Sequence, residues 1–140
     1  RSKDNPVYYV QYASARIHSV FRKADEAGIT FDKKLAMNEQ FETVTHEAEI
    51  KIAKKLAEWP RLVEIAAKTN EPHRIAFYLY ELAGDFHSLW NKGNEISELR
   101  FIQEDNHRAS CIKMAMISAV LVVISSGLDI LGVEPATHMN

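Results

Sequence analysis

Apolar residues fall at helical spacing in successive stretches of this chain, with Gly, Pro and polar runs between them. The first stretch, Asn5 to Arg22, carries a helix-start signal. Asn5 can cap, and Pro6 suits the first helical position, where its missing N–H costs nothing. Nothing breaks the pattern before Gly28, which predicts a helix over about Pro6–Ala27. At about 100° per residue, Val10, Ala13, Ile17, Val20, Phe21 and Ala24 share one core-facing arc. Tyr9, Tyr12 and Arg16, at i, i+3 and i+7, form a separate stripe on its flank. Two phenol rings and a guanidinium in line suit stacking on unpaired bases and pairing with a phosphate or a base edge. The same stripe also reads as the rim of the core, with its hydroxyls in water.

Further along, Gly28 to Asn38 reads as a loop, and a second helix is expected from about Glu39 to Glu58. Its clearest apolar stripe is Ile50, Ala53, Leu56 and Ala57, and Trp59-Pro60 ends it. A short third helix covers Arg61–Lys68, with Leu62, Ile65 and Ala66 inward. Thr69 or Asn70 then caps a fourth helix, whose core face is Ile75, Tyr78, Leu79, Leu82, Phe86 and Leu89. Tyr80, Ala83, His87 and Trp90 make a second aromatic-bearing stripe. Asn91 to Asp105 reads as a polar connection with a short helical turn around Ile96–Phe101. Asn106 opens the last helix, where Lys113 is the only charged residue between Ala109 and Ile124. That run falls a little short of the roughly 20 apolar residues of a membrane span, so a central bundle helix is expected, capped by Gly127. The expected fold is all-α, a single-domain helical bundle of about five helices.

Length and composition fit this. A chain of 140 residues is one domain with room for a real core. The single Cys111 excludes an internal disulfide, fits a reducing compartment, and lies in an apolar run as a core thiol. The formal net charge of −2 lacks the basic footprint of generic nucleic-acid binding. It is uneven, however. Residues 1–34 hold seven Lys/Arg against four Asp/Glu, a net of +3, while 35–105 hold eight against thirteen. A basic end on an acidic body suits a local docking site. His46-Glu47-Ala48-Glu49-Ile50 lacks the second histidine that a zinc helix needs, because Ile50 stands there. Its alternating charges read as a solvated face. No metal set, phosphate-cradling glycine loop or hydrolase elbow is present in the sequence. The abrupt start at Arg1, without an initiator Met, reads as an excised domain, and no signal peptide is visible.

Several segments carry a resemblance. Asn5-Pro6-Val7-Tyr8-Tyr9-Val10-Gln11-Tyr12-Ala13-Ser14-Ala15-Arg16 resembles the N-P-x-x-Y-x-Q-Y-A-x-x-R signature that opens the C-terminal anticodon-binding domain of class I arginyl-tRNA synthetases, the DALR-type domain. Leu56 to Ala67 resembles that family's L-x-x-(aromatic)-P-x-x-V-x-x-A-A connection. Pro72 to Ala83 is similar to P-H-x-(apolar)-x-x-Y-L-Y-E-L-A, and the last helix to its G-L-x-L-L-G-ending segment. The resemblance runs from about Asn5 to Met139. It implies anticodon-loop binding by Tyr9, Tyr12, Ala13, Arg16, Trp90 and Met139. Gln11 and His87 would support them, and Ala13 would leave room for the central base. His138 departs from the family's usual arginine. The family's H-I-G-H and K-M-S-K-S type signatures are absent, so the Rossmann catalytic domain is missing. Residues 1–140 are then non-catalytic alone and need no cofactor or metal. The parent would be a cytoplasmic arginine–tRNA ligase using ATP, with Mg, in its catalytic domain. The implied partners are arginine tRNA and the parent's own catalytic domain, without membrane or DNA. A helical protein-interaction module is the alternative.

Overall fold

The structure, a computed structural model, describes residues 5–30 and 46–137. Most of the expected 28–38 loop, the first part of the expected second helix, and Met139 lie outside the described residues. The described residues form five α-helices: α1 (Pro6–Glu26), α2 (Glu47–Ala57), α3 (Trp59–Thr69), α4 (His73–Glu95) and α5 (His107–Ile130). A 3-10 turn at Ser97–Leu99 joins α4 to the connection before α5. The all-α bundle of about five helices is therefore observed.

Local chemistry sets the helix ends. The Asn5 side chain accepts the Val7 N–H at 3.0 Å and caps α1 ahead of Pro6. Asn106 caps α5 by accepting the Ala109 N–H at 3.0 Å. Three helices end on one device, a left-handed residue followed by a long back-bond. Gly28 (φ 74°) precedes the bond from Ile29 N–H to Ala24 O. Asn70 (φ 54°) precedes Glu71 N–H to Ala66 O, and Gly132 (φ 75°) precedes Val133 N–H to Leu128 O. Two expectations change accordingly. Asn70 terminates α3 instead of capping α4. Gly127 lies inside α5, which runs on to Ile130 and stops at Gly132.

α4 is the centre of the bundle, packing against all four other helices and the 3-10 turn. Its expected face, Ile75, Tyr78, Leu79, Leu82, Phe86 and Leu89, is buried throughout. It also continues past the expected break to Glu95, where Gly93 packs beneath Leu99 and Arg100. Against it lie Val10, Ala13, Ile17 and Val20 of α1 and Met116, Ile117, Val120, Ile124 and Leu128 of α5. Gly127 is a packing position. A Cβ there would stand 2.6 Å and 2.8 Å from the two Leu79 methyls, so its absence lets α5 approach α4 closely.

α2 buries a different line from the one its sequence suggests. Ile52 and Glu49 are buried, whereas Ile50, Ala53 and Leu56 are half-buried and Ala57 is exposed. Glu49 accepts an ion-paired hydrogen bond from Lys113 of α5 at 2.8 Å. The two charges flanking Ile50 in sequence are therefore unequal, since Lys51 is exposed and reaches Asp85. This corrects the solvated-face reading for Glu49 and explains why Lys113 stands in the apolar run of α5 between Ala109 and Ile124, because a carboxylate taken out of water needs a partner. α5 alone among the described helices is long and apolar enough to cross a membrane. Its packing meets the central-helix expectation, with 56% of that window buried in the bundle.

Candidate nucleic-acid interface

The two aromatic stripes expected on separate helices meet where α1 crosses α4. Tyr9 lies against His87 with ring centroids 4.6 Å apart and against Tyr80 at 4.9 Å. Tyr12 lies against His87 at 5.2 Å and near-parallel to Tyr8 at 6.4 Å. Arg16 fills the gap between Tyr12 and Trp90, its guanidinium carbon 4.4 Å and 4.6 Å from the two ring centroids. A weakly hydrated planar cation between two π-faces is an ordinary attraction, worth about 0.5–1 kcal/mol per exposed face.

His87 ties the cluster together. Arg16 Nη1–H donates to His87 Nδ1 at 3.0 Å, and His87 Nε2–H donates to the Tyr9 carbonyl oxygen at 3.2 Å. A guanidinium can only donate and a carbonyl can only accept. The imidazole is therefore neutral, with its proton on Nε2. Burial pushes its pKa down to about 4, with Arg16 adding to the effect and the Tyr9 carbonyl opposing it. Tyr9 is likewise raised above the usual phenol value, chiefly by burial and then by Tyr80, with Arg16 opposing. Tyr12 and Tyr80 remain exposed, at 36% and 44%, while Tyr9, Arg16 and Trp90 are half-buried. Behind Trp90, Phe86 and Phe101 stack at 5.7 Å and 6° and back its ring at 6.2 Å and 6.3 Å. The outcome is a half-open aromatic ledge on rigid helices, with a cation held in register and donors to spare.

The other candidate residues are placed differently. Ala13 is fully buried in the core, so its small size serves helix packing, and the open approach to the backbone expected there is not present. Gln11 donates through Nε2 to the Glu134 carbonyl at 2.9 Å. It shares that task with Ser14, whose hydroxyl donates to Ala136 O at 2.7 Å, and Arg22, whose Nη1–H donates to Thr137 O at 3.4 Å. The segment before Met139 is thereby laid along α1. Sequence reasoning passed over Ser14, which is fully buried. Its only signal was a hydroxyl between Ala13 and Ala15 on a helix flank.

Fold and site together define an all-helical module with an aromatic, arginine-bearing face where α1 crosses α4. The family model of the DALR anticodon binding domain matches residues 10–139. This chain belongs to that family. It is 60% identical over 140 residues to an arginine–tRNA ligase of Ruegeria pomeroyi, covering 100% of this chain and 24% of that protein. It is 58% identical over 139 residues to one from a Jannaschia species, covering 99% and 23%. A crystal structure of an arginyl-tRNA synthetase from Campylobacter jejuni superposes with a TM-score of 0.78 at 25% identity, over 99% of this chain and 27% of that one. The chain thus spans about a quarter of the length of the curated relatives it matches.

Proposed function

We infer that this domain reads the anticodon loop of arginine tRNA for a parent arginine–tRNA ligase. The observation that carries the reading is the Tyr12–Arg16–Trp90 stack, with Arg16 oriented by a neutral His87. Loop bases are unstacked and can be splayed out individually, and aromatic faces at about 1–3 kcal/mol per base suit them without a long basic groove. One Arg16 donor is spent on His87, and the others remain for a base edge or phosphate. Tyr9 and Tyr12 wall the site, and Trp90 offers an indole face backed by Phe86 and Phe101. Gln11 and Ser14 hold the tail at Glu134 and Ala136 against α1. Among the described residues no group of His, Cys, Asp or Glu could hold a metal. ATP, with Mg, and the ligation of arginine are assigned to the part of the parent outside this chain, in the cytoplasm.

Titrating an arginine-tRNA anticodon stem-loop against the domain, with Trp59→Phe to isolate Trp90 emission, tests the reading. Trp90 should be quenched, and Tyr12→Ala or Arg16→Ala should each weaken binding about tenfold or more. Binding that ignores salt, RNA sequence and both substitutions would make the same face a protein-docking surface.

A further inference from the structure

The indole of Trp90 is held unevenly. Arg16 lies over its ring, Phe86 touches it from one turn earlier on the same helix, and Phe101 reaches it from the connection after the 3-10 turn. Another side is open: a cavity of about 190 Å³ lies between Trp90, Val20, Phe101 and Ile102. A void supplies no partner atoms, so nothing there opposes rotation of the ring. Phe101 does oppose it, stacked on Phe86 at 5.7 Å and 6.3 Å from the indole. Yet Phe101 belongs to no helix, and its place depends on what fixes the connection. Those bonds converge on Gln103. Its amide donates through Nε2 to the Ser97 carbonyl at 2.9 Å and the Arg100 carbonyl at 2.8 Å, closing the turn on itself. Its backbone exchanges two bonds with one hydroxyl of α5. Gln103 N–H donates to Ser110 Oγ at 2.6 Å, and Ser110 Oγ–H donates to Gln103 O at 3.0 Å. Ser110 is fully buried, so the connection is pinned to a core helix. Arg100 Nε–H ties the turn back to α4, donating to the Gly93 carbonyl at 2.9 Å.

We propose that Gln103 is a positioning residue for the stacking face of Trp90. Its amide locks the 97–103 connection, the connection holds Phe101, and Phe101 keeps the indole against Arg16 and out of the cavity. This rests on the anticodon-loop reading above and adds to it a residue outside the Tyr9–Tyr12–Arg16–His87 cluster. The role needs an amide. Two carbonyls each require an N–H, which a methionine of similar length does not carry and an ionised glutamate lacks as well.

The test is a mutant cycle in the full-length parent, read as kcat and as KM for arginine tRNA. Gln103→Met should raise KM about tenfold and leave kcat unchanged, because it removes binding and not chemistry. In a Trp90→Leu background the same change should add nothing, the non-additivity of residues that act through one another. A residue serving stability alone would lower the active fraction, and with it kcat, and its effect would add to that of Trp90→Leu. Because Gln103→Met could unfold the connection, Phe101→Leu is the second arm, with the same rise in KM and the same silence in the Trp90→Leu background. If a folded variant of either arm keeps the native KM, or adds fully to Trp90→Leu, while Arg16→Ala and Trp90→Leu each raise KM, the positioning role is refuted and the anticodon reading stands. If Arg16→Ala and Trp90→Leu leave KM unchanged, both fall.

Discussion

The neutral His87 gives the sharpest stability prediction. Its pKa falls from the ordinary 6.5 to about 4 in the folded chain, first through burial, then through Arg16, against the Tyr9 carbonyl. Here the folded pKa lies below the unfolded one, so between about pH 4 and 6.5 the unfolded chain binds more protons. Stability contributed by this group is complete above pH 6.5 and is lost as the pH falls toward 4. A shift of that size amounts to about 3 kcal/mol, a slope of about 1.4 kcal/mol per pH unit across the window. A protonated ring would also lose the Nδ1 lone pair that accepts from Arg16, freeing the guanidinium from its register. The assay is urea unfolding from pH 4 to 7.5, comparing the native chain with His87→Gln, which can donate and accept without titrating. Carboxylates titrate in the same range, so the difference between the two curves is the observable. It should grow in favour of His87→Gln by up to about 3 kcal/mol on acidification. Parallel curves, or a His87 ring that titrates near 6.5 by NMR, would refute the reasoning.

Other substitutions probe the frame that positions the ledge. Gly127→Ala puts a methyl into Leu79 of α4 and should cost about 1–3 kcal/mol in denaturant unfolding. Gly84→Ala is the control: its nearest neighbour, the Tyr9 hydroxyl oxygen, stands 3.7 Å from the new Cβ, and the change should be tolerated. Lys113→Met leaves Glu49 buried without a cation and should destabilise by about 3–5 kcal/mol, and Lys113→Met with Glu49→Leu should recover most of it. Ser14→Ala removes the donor to Ala136 O, and limited proteolysis should then cut the 133–137 segment faster than in the native chain.

How much of this was legible in the sequence follows from the range of the interactions. α1 was readable almost to the residue because Asn5, Pro6 and Gly28 act within a turn of themselves. The α4 core face was readable because one helical period fixes it. What failed was long-range. The Glu49–Lys113 pair spans 64 positions, and no local pattern tells a paired, buried carboxylate from a solvated one. Gly127 after an apolar run looks like a stop, yet Leu79 of another helix is what requires it. Asn70 sits between two helices and suits either; only its left-handed φ assigns it to the first. At the site, periodicity gave two stripes but not their meeting. The bond from Arg16 to His87 crosses 71 positions, and only the family resemblance placed both residues at one site. Ala13 shows the converse, since the resemblance offered it to a base and the packing takes it into the core.

The measurement closest to the central claim is binding of two anticodon stem-loops, the arginine sequence and one altered only at the central base, to the native chain and to Arg16→Ala. The account predicts a preference of about tenfold or more for the arginine sequence, disappearing in Arg16→Ala. Equal binding of both stem-loops by the native chain, or a preference that survives Arg16→Ala, would contradict it.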